Sequence, residues 1–553
     1  MAHRHRIVVG IDFGTTYSAV AWADTTNPDQ IEIIKNWPTS GQLVGAQAPS
    51  ELAYRDGDTT NPSWGYDIGP RARKVKWFKL GLESENEILQ LPDGLSSTDV
   101  VSDYLSALYL HVLQTLYRRF DKNVMQMTKV DFVLTVPALW SDAAKKRTEN
   151  AAIGAGMTGA HDLELLSEPE SAAVYTLKHT DTTNSQIQVN DRIVVCDAGG
   201  GTVDLISYDI RATTPVLRVS ECAAGTGDYC GSTFIDRNFE KLFSKRMGSH
   251  YEKLTVVNRQ QVVKNFELTK IAFRDVDSQE SFFVNVPTIS DIEEAGVVGG
   301  NFEISRAEMR DLFDPIIDQL IELIKVQVMT VSAGPQRVNS ILLVGGFGES
   351  EYLFKRIAAW ASQWDIQVIQ PREASTAIVR GAVLKGLEPK SGPDRTEIVR
   401  RARRSYGVPT TQVFIDGYHQ EKDAFTDPLT GKKMAMNQVS WFIRRNQPVS
   451  DEQKFSHTFY RHFKDVKPWR DCLVSCVADI PPAQWDQAVH KHCTIQSDLS
   501  SLDKSRFKRK WRDWKRYYTA SYELVMNLRN NNLSFELRFR GSTFGIASVE
   551  FDG

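Results

Sequence analysis

Two stretches of the sequence place an acidic residue and glycines directly after an apolar segment. The first, "IVVGIDFGTTYS", has Asp12 and Gly14 after residues 7–9, and the second, "IVVCDAGGGTVD", has Asp197 and three glycines after residues 193–195. Each stretch predicts a buried strand that ends in a tight turn. Because the pattern occurs in two distant parts of the chain, it constrains the fold more than any other feature.

The residue types at these two turns suit a phosphate. Glycines let backbone N–H groups approach phosphate oxygens, and Thr15, Thr16 and Thr202 add hydroxyl donors. The segments that follow, "TTYSAVAWA" and "TVDLISYDI", have the composition of second strands, so each motif predicts a β-hairpin. Neither has the GxxxxGK[ST] spacing of a P-loop. Asp12 and Asp197 would then face Mg²⁺, which prefers oxygen ligands. The alternative is two glycine-rich turns with capping aspartates.

A third stretch, "SILLVGGFGESEYLFKRIAAW", supplies a different part of a ligand site. It predicts a strand over residues 341–344 and a helix after Gly348. Gly345 and Gly346 leave the backbone bare at the end of the strand, which suits the flat face of a base or ribose. Together with the two phosphate turns, this stretch predicts a nucleotide site.

The chain of 553 residues is too long for a single core and predicts two to four domains. The segment "EPKSGPDR" concentrates Pro, Gly and Ser and predicts the main boundary. Residues 1–389 carry 38 Lys and Arg against 50 Asp and Glu, and residues 390–553 carry 28 against 19, so charges of −12 and +9 sum to −3. Alternating strands and helices predict an α/β domain before the boundary, and β-branched and aromatic residues predict a sandwich-like domain after it.

The sequence also bears on the cellular environment. It contains no apolar run of about 18 residues, so no membrane span is expected. The first strand follows the N-terminus directly, which leaves no room for a signal peptide. Six cysteines are too few for a disulfide scaffold. We therefore expect a cytoplasmic protein, with the nucleus as the alternative.

Five motifs, in order along residues 7–387, resemble those of the actin-like ATPases and, among these, the seventy-kilodalton heat-shock (Hsp70) family. They are "GIDFGTTYSAV", "FVLTVPALWSDAAKKRTENAA" with "LLSEPESAA", "VVCDAGGGTVDL", "AGTGDYCGSTFID" and "LLVGGFGES". The resemblance implies a two-lobed, actin-like ATPase (ribonuclease H-like) α/β fold over residues 1–389. A linker over 390–399 and a β-rich domain over 400–553 would follow. The departures described below indicate a divergent member.

The resemblance implies roles for individual residues, with ATP or ADP and Mg²⁺ as ligands. Asp12 and Asp197 look like the residues that hold hydrated Mg²⁺, and Glu168 resembles the acid that orients the metal or the attacking water. Lys79 is the candidate for the lysine that reaches the γ-phosphate, with Lys76 as the alternative. The other residues implied to be catalytic or to line the nucleotide are Gly14, Thr15, Thr16, Tyr17, Gly199, Gly200, Gly201, Thr202, Asp204, Gly231, Glu267, Lys270, Gly345 and Gly346.

Several positions depart from the pattern of the family. Ile271 and Glu349 stand where the family has arginines beside the adenine, and Ser375 stands where it has an acidic residue. The acidic, leucine-rich linker of the family is replaced by "EIVRRARRSYGV", and no helical lid is predicted before the end of the chain.

The C-terminal part shows a shorter resemblance. "FIRRNQPVSDEQKFSHTF" and "VADIPPAQW" resemble segments of the peptide-binding β-domain of the family. The segment "KSRFKRKWRDWKRYYTASYELVM" predicts a basic aromatic helix near residues 503–527, with Phe507, Trp511, Trp514 and Tyr518 on one face. The favoured interpretation is that this face packs on the sandwich. An acidic protein partner is the next interpretation, and nucleic acid or an anionic membrane is the least favoured.

The leading hypothesis is an ATP-binding, slowly hydrolysing, chaperone-like protein whose nucleotide state controls lobe closure and the binding of unfolded polypeptide or a co-chaperone. A nucleotide-dependent scaffold without useful turnover is the first alternative. A small-metabolite kinase of the same fold is the second, although the β-rich C-terminal part would have no role in it.

Overall fold

The structure is a computed structural model. It describes residues 5–39, 45–55, 58–83, 91–158, 161–179, 187–287, 291–334, 336–390, 392–428, 430–512, 515–529, 532–546 and 548–551. The chain divides into two compact units, Met1–Thr396 and Glu397–Gly553. Residues 397–399, the last part of the predicted linker, lie within a strand (Glu397–Arg401).

The N-terminal unit contains strands and helices in alternation. Its described strands are β1 (Arg6–Phe13), β2 (Tyr17–Asp24), β3 (Glu32–Ile33), β4 (Gln47–Pro49), β5 (Glu51–Arg55), β6 (Asp58–Trp64), β7 (Val75–Lys76), β8 (Lys129–Val136), β9 (Asp162–Ser167), β10 (Arg192–Ala198), β11 (Val203–Ala212), β12 (Arg218–Asp228), β13 (Ser281–Asn285), β14 (Val297–Val298), β15 (Asn301–Ser305), β16 (Ser340–Val344) and β17 (Gln367–Ile369). Its described α-helices are α1 (Ser97–Arg119), α2 (Lys122–Met127), α3 (Asp142–Gly154), α4 (Glu168–His179), α5 (Thr233–Met247), α6 (Ser249–Lys253), α7 (Val256–Ala272), α8 (Arg306–Val331), α9 (Glu351–Ala361) and α10 (Ala377–Leu387).

Two sheets of this unit share one strand pattern. In the first sheet, β1 pairs antiparallel with β2 and parallel with β8, and β8 continues in parallel to β9. In the second, β10 pairs antiparallel with β11 and parallel with β16, and β16 continues in parallel to β17. The two predicted hairpins are therefore confirmed, and each occupies the same place in its sheet. This duplicated pattern is the two-lobed, actin-like α/β fold.

Each sheet has its own hydrophobic core. The core beside the first sheet contains Phe13, Tyr104 and Phe132, which are almost fully buried. The core beside the second contains Phe239 and Phe266, whose rings stack at 4.0 Å between centroids. The strands are buried on nearly every residue because helices cover them, which is typical of parallel and mixed sheets.

Helix starts follow the local signals in the sequence. The side chain of Ser141 accepts a hydrogen bond from the backbone of Ala144 at the start of α3. Ser305 and Glu308 form the predicted capping box at the start of α8. Such caps satisfy backbone N–H groups that the first turn leaves without partners.

The C-terminal unit is built from strands. They are β18 (Glu397–Arg401), β19 (Ser405–Val413), β20 (Ala424–Thr426), β21 (Lys433–Ile443), β22 (Pro448–Ser450), β23 (Lys454–Phe463), β24 (Trp469–Cys476), β25 (His490–Ser497), β26 (Lys508–Arg512), β27 (Lys515–Arg529), β28 (Asn532–Phe539), β29 (Ser542–Ile546) and β30 (Ser548–Phe551). One sheet has the order β20-β21-β19-β24-β25-β30, and the other has the order β23-β27-β28-β29 with β26 on β27. The hydrophobic core of this unit includes Tyr406, Leu473, Phe535 and Leu537. The predicted β-rich character of the unit is therefore confirmed.

The predicted basic aromatic helix near residues 503–527 is wrong. Apart from a short 3-10 helix (Lys504–Arg506), the segment forms strands β26 and β27, which pair antiparallel. Tyr518, Ala520, Tyr522 and Leu524 are buried on alternate positions of β27, which is the period of a strand. The helical interpretation grouped Phe507 and Trp511 on one face, but Phe507 is buried whereas Trp511 is 64% exposed. Trp514, the other predicted member of that face, lies outside the described residues.

Candidate functional site

The tips of the two hairpins lie against each other. A methyl group built on Gly200, in the β10–β11 turn, would clash with Oγ1 of Thr16 in the β1–β2 turn. A methyl group on Gly201 would lie 3.1 Å from Cγ2 of Thr15. The two glycines therefore allow a backbone approach that larger residues would prevent, and the acid–glycine motifs form one site.

Asp12 and Asp197 sit near the ends of β1 and β10, and both are buried. Burial, followed by repulsion from Glu168, raises the pKa of Asp12 to about 7, although Lys79 and a hydrogen bond from Thr135 act in the opposite direction. Burial raises the pKa of Asp197 well above its usual range, and repulsion from Glu168, Asp204 and Asp12 adds to this. These mutual effects indicate that the carboxyl groups share one enclosed space.

The second hairpin contributes another acid. Asp204 lies directly opposite Asp197 in the register of β10 and β11. Burial and repulsion from Glu168 raise the pKa of Asp204 to about 7. Oγ1 of Thr202 donates a hydrogen bond to Asp204 at 3.3 Å, and the N–H of Gly199 donates to the carbonyl of Thr202 at 3.0 Å, which closes the turn.

Lys79 is the cation of this space. It lies in a short 3-10 helix (Phe78–Leu82), and its Nζ is 2.7 Å from Oε1 of Glu168, the first residue of α4. Both side chains are almost completely buried, and the lysine also lies 5.5 Å from the ring of Phe13 and 5.4 Å from that of Trp140. The alternative candidate, Lys76, pairs instead with Glu51 at 2.8 Å.

The loop before α5 supports the second hairpin. The N–H and the hydroxyl of Thr233 both donate to the carbonyl of Gly200 at 2.9 Å, and the N–H of Gly231 donates to the carbonyl of Gly201 at 3.3 Å. A methyl group on Gly231 would clash with the carbonyl of Gly200. These contacts therefore hold the β10–β11 turn in position.

The third motif lies beside Asp197. Gly345 follows β16 with a φ of +88°, a conformation that favours glycine. A methyl group there would lie 2.5 Å from Oδ1 of Asp197, whereas one on Gly346 would meet open space. Glu349 directly follows the motif's last glycine, and its Oε1 accepts a hydrogen bond from the N–H of Ser375 at 2.9 Å.

The end of α7 lies close to this motif. Arg274 pairs with Glu351 at 3.0 Å, and Lys355 donates a hydrogen bond to the carbonyl of Arg274. Ile271, which lies in the last turn of α7 three residues before Arg274, is 66% exposed. Of the three positions here that depart from the family pattern, 271 and 349 therefore belong to neighbouring segments, and Ser375 is hydrogen-bonded to Glu349.

Glu267 and Lys270 have separate partners. The hydroxyl of Tyr17, at the start of β2, donates to Oε1 of Glu267 at 2.8 Å. Nζ of Lys270 bonds both carboxylate oxygens of Asp236, at 2.7 and 2.8 Å. Glu267 thus connects α7 to the first hairpin, whereas Lys270 connects α7 to α5.

Three residues that position the site were missed by the sequence reasoning. Ser50 donates from its hydroxyl to the carbonyl of Gly14 at 2.7 Å and from its N–H to the carbonyl of Thr16 at 2.8 Å. Thr135 donates to Oδ1 of Asp12 at 3.2 Å. The third is Asp236, the partner of Lys270. No local sequence signal indicated Thr135, because its contact depends on the register in which β8 runs parallel to β1 with Leu134 beside Ile11.

These residues fit a hydrated magnesium ion. Within the described part of the chain, no group of three or more His, Cys, Asp or Glu side chains is arranged to hold a metal directly. Mg²⁺, however, keeps most of its waters and needs only one or two carboxylates. Asp12 and Asp197 could provide these carboxylates. Of the residues described above, four buried acids (Asp12, Glu168, Asp197 and Asp204) face one buried lysine (Lys79), so a cation would offset the excess negative charge.

A family model described as Hsp70 protein matches residues 100–392, which is 293 of the 553 residues and more than half of the chain. The chain belongs to the Hsp70 family. A second model, a domain of unknown function (DUF8568), matches residues 400–550. The Hsp70 match covers the second hairpin and the glycines after β16, and the other match covers almost all of the C-terminal unit.

Several curated Hsp70 relatives cover most of the chain. Human heat shock 70 kDa protein 12B is 26% identical over 90% of this chain and 84% of its own length. Human heat shock 70 kDa protein 12A is 25% identical over 89% and 85%. Chaperone protein HscA of Proteus mirabilis is 26% identical over 70% of this chain and 60% of its own length. At this general level, Hsp70 membership supports an ATP-binding, chaperone-like protein. In the described residues, no helix combines the length and apolar character needed to cross a membrane.

Proposed function

We propose that the N-terminal unit binds ATP with Mg²⁺ between the two hairpins and hydrolyses it slowly. The observation that carries this proposal is the contact of the two hairpin tips, Gly200 against Thr16, with a buried aspartate directly behind each tip. A phosphate at this junction would be reached by backbone N–H groups and hydroxyls from both motifs at once.

The proposed roles follow from the chemistry of each side chain. Thr15, Thr16 and Thr202 donate hydroxyl hydrogen bonds to phosphate oxygens, and the glycines of both turns supply N–H groups. Gly345 and Gly346 leave room for the nucleoside. Asp12 and Asp197 hold the hydrated cation, which, when bound, neutralises charge as the γ-phosphoryl group passes to water.

Glu168 and Lys79 act together in this proposal. Their 2.7 Å ion pair holds both side chains in the enclosed space. When a triphosphate enters, Lys79 can exchange part of its interaction with Glu168 for a γ-phosphate oxygen. This frees a lone pair of Glu168 to accept a hydrogen bond from the attacking water. Such positioning needs no strong base, and for that reason we expect the turnover to be slow.

We further propose that nucleotide binding closes the two lobes and so controls the C-terminal unit, whose partner would be unfolded polypeptide or a co-chaperone. Support comes from Tyr17 and Glu267, which link the first hairpin to α7, and from the relatives whose printed names are chaperone proteins. The location we propose is the cytoplasm or the nucleus, in keeping with six cysteines that form no disulfide.

Calorimetric titration with ATP and ADP, with and without Mg²⁺, paired with single-turnover phosphate release, tests the proposal. We expect Mg²⁺-dependent binding of both nucleotides and measurable release of phosphate. Binding without release would overturn the hydrolase and leave the scaffold. No binding would overturn both.

A kinase of the same fold is separated by a second assay. ADP production is measured with and without glucose or glycerol, with phosphate release followed in the same samples. A hydrolase releases one phosphate for each ADP whether or not the acceptor is present. Production of ADP that depends on the acceptor and exceeds phosphate release would identify a kinase.

A further inference from the structure

Strands β26 and β27, and not a helix, carry the basic and aromatic residues of this segment. β26 lies on one side of β27 near residues 515–519, and β23 lies on the other. Side chains directly opposite each other in adjacent strands point to the same face of the sheet. Lys510 is therefore beside Tyr517, and Lys508, Thr519 and His462 form the next row.

This face points away from the core. Along β23, residues with even numbers from Lys454 to His462 are exposed, and the odd-numbered residues are more buried. On the opposite, core-facing side, Phe463 packs against both Phe507 and Tyr518. We call the outward residues Tyr460, His462, Lys508, Lys510 and Tyr517 the basic–aromatic face.

The aromatic rings of the face are available to a ligand. Tyr460 is 77% exposed although it lies in the middle of a strand. The rings of His462 and Tyr517 meet edge to face, with centroids 5.8 Å apart. A flat aromatic ring that is exposed on a sheet can stack with a flat ligand such as a nucleobase.

The charge of the face is positive. Lys508 and Lys510 are both exposed, and neither forms an ion pair with any residue that the structure describes. They lie two positions apart on one strand, which separates them by about 6.8 Å. Along β27 the first acidic residue of this face is Glu523, two positions beyond Ser521 and opposite Arg538.

We propose that the basic–aromatic face binds single-stranded nucleic acid, with bases stacked on Tyr460 and Tyr517 and phosphates beside Lys508 and Lys510. Lysines on an edge strand such as β26 can serve simply to prevent pairing with other chains, but this does not account for the exposed ring of Tyr460 or for the half-buried ring of Tyr517 beside Lys510. An acidic protein, the partner considered for the predicted helix, would use the lysines without needing flat rings. The combination of rings and cations favours a polynucleotide.

The test uses the full chain and fluorescein-labelled U12 RNA in fluorescence anisotropy, with saturating MgADP so that the N-terminal cleft does not bind the oligonucleotide. We expect binding that weakens as salt increases. Tyr460→Ala and Tyr517→Ala should each raise Kd by about 5- to 150-fold, which corresponds to about 1–3 kcal/mol for each stacked base. Tyr460→Phe should retain the affinity, because its ring still stacks.

The lysines have a different expected signature. The double variant Lys508→Gln and Lys510→Gln should reduce the slope of log Kd against log salt by about 1.4, since each phosphate contact to a single strand contributes about 0.7. Matched controls come from the same unit. Tyr418→Ala removes another exposed ring, which is 63% exposed, and Lys422→Gln with Lys432→Gln removes the same charge elsewhere, and both should leave binding unchanged.

Each outcome decides the proposal. A dT12 arm shows whether the sugar matters, and binding of either polymer with the expected sensitivity to the tyrosines supports the proposal. Absence of binding up to about 100 µM overturns it. It is also overturned if binding does not change in the tyrosine variants, or if polyglutamate binds to the lysines while U12 and dT12 do not.

Discussion

The two N-terminal sheets that share one strand pattern differ in the number of acidic residues that their hairpins carry. Asp12 lies opposite Ala19 in the first hairpin, whereas Asp197 lies opposite Asp204 in the second. The first hairpin is held by hydrogen bonds from Ser50 and Thr135 to its tip and its acid. The two hairpins therefore share one strand pattern but differ in their acids. The first carries a single acid held by a hydrogen bond, and the second carries two acids that face each other.

The largest effect is expected from removing the acidic group of either hairpin. Asp197→Asn and Asp12→Asn should each lower the single-turnover rate of phosphate release by about 10²- to 10³-fold, because a buried charge that acts on the developing transition state is lost. Rapid-quench measurements at saturating Mg²⁺ would show this. Thr410→Ala, in the C-terminal unit, is the control. Unchanged rates in both aspartate variants would contradict the proposed site.

The surplus acid of the second hairpin should make the metal-free protein sensitive to pH. The pKa of Asp204 is about 7 in the folded chain and 3.8 when unfolded. The folded state therefore binds the proton more tightly, and this stabilisation is complete below pH 4 and is lost as the pH rises through 7. Relative to the wild type, Asp204→Asn should gain about 2.7 kcal/mol of stability between pH 5 and pH 8, because about two pH units lie between pH 5 and the folded pKa, at about 1.36 kcal/mol per unit.

Chemical denaturation with a chelator present, at pH 5 and pH 8, measures this difference. The comparison is between the two proteins at each pH, so that the titration of other groups cancels. Asp228→Asn, which changes a more exposed acid near the end of β12, is the control and should show no such gain. A constant difference between the wild type and Asp204→Asn would mean that this carboxyl is not held protonated.

The contact between the hairpins can be broken sterically. Gly200→Ala would place a methyl group against Oγ1 of Thr16, and relief of such a clash typically costs about 1–3 kcal/mol. We expect the affinity for MgATP to fall by about 5- to 150-fold in calorimetric titration. Thr16→Ser in the same chain removes Cγ2 and lets the hydroxyl rotate away while keeping it as a donor, so it should restore part of the affinity. If the double variant is no better than Gly200→Ala, the methyl group acts through a different contact.

The smallest effect should come from the link between the first hairpin and α7. Tyr17→Phe removes the 2.8 Å hydrogen bond to Glu267 and keeps the ring. A loss of about 1 kcal/mol, or about fivefold in nucleotide affinity, is the expected result. Stopped-flow dissociation of a fluorescent ADP analogue would measure it as a faster release. Tyr54→Phe, which removes a hydroxyl of β5 that donates to Asp103 of α1, is the matched control and should leave the nucleotide affinity unchanged.

The parts of the fold that were predictable from the sequence had strong local signals. The hairpins were predicted because acid, glycine and β-branched residues leave few alternatives at a strand end. The segment at 503–527 was predicted wrongly because aromatic residues at positions 507, 511, 514 and 518 fit a helical face, while the alternation from Tyr518 to Leu524 fits a strand. Only the pairing with β23 decides between the two periods, and such long-range pairing cannot be read from a local window.

Within the site, residues inside the motifs were predictable, whereas their supports were not. Thr135 lies on β8 and Ser50 lies between β4 and β5, so their contacts depend on how these distant strands pair with β1 and β2. Lys79 was preferred over Lys76 on the resemblance alone. The structure adds a physical reason, because Lys79 alone of the two is paired with Glu168.

The buried pair of Lys79 and Glu168 has an evolutionary consequence. Loss of one partner would leave the other charge without compensation in a dry space, at a cost of about 3–5 kcal/mol, whereas loss of both together can be nearly neutral for stability. A lineage that loses this ion pair can therefore keep its stability only by exchanging both residues. Among descendants of this chain, these two positions should change together or not at all, and a sequence in which both have become apolar would mark a branch that has given up hydrolysis but still folds.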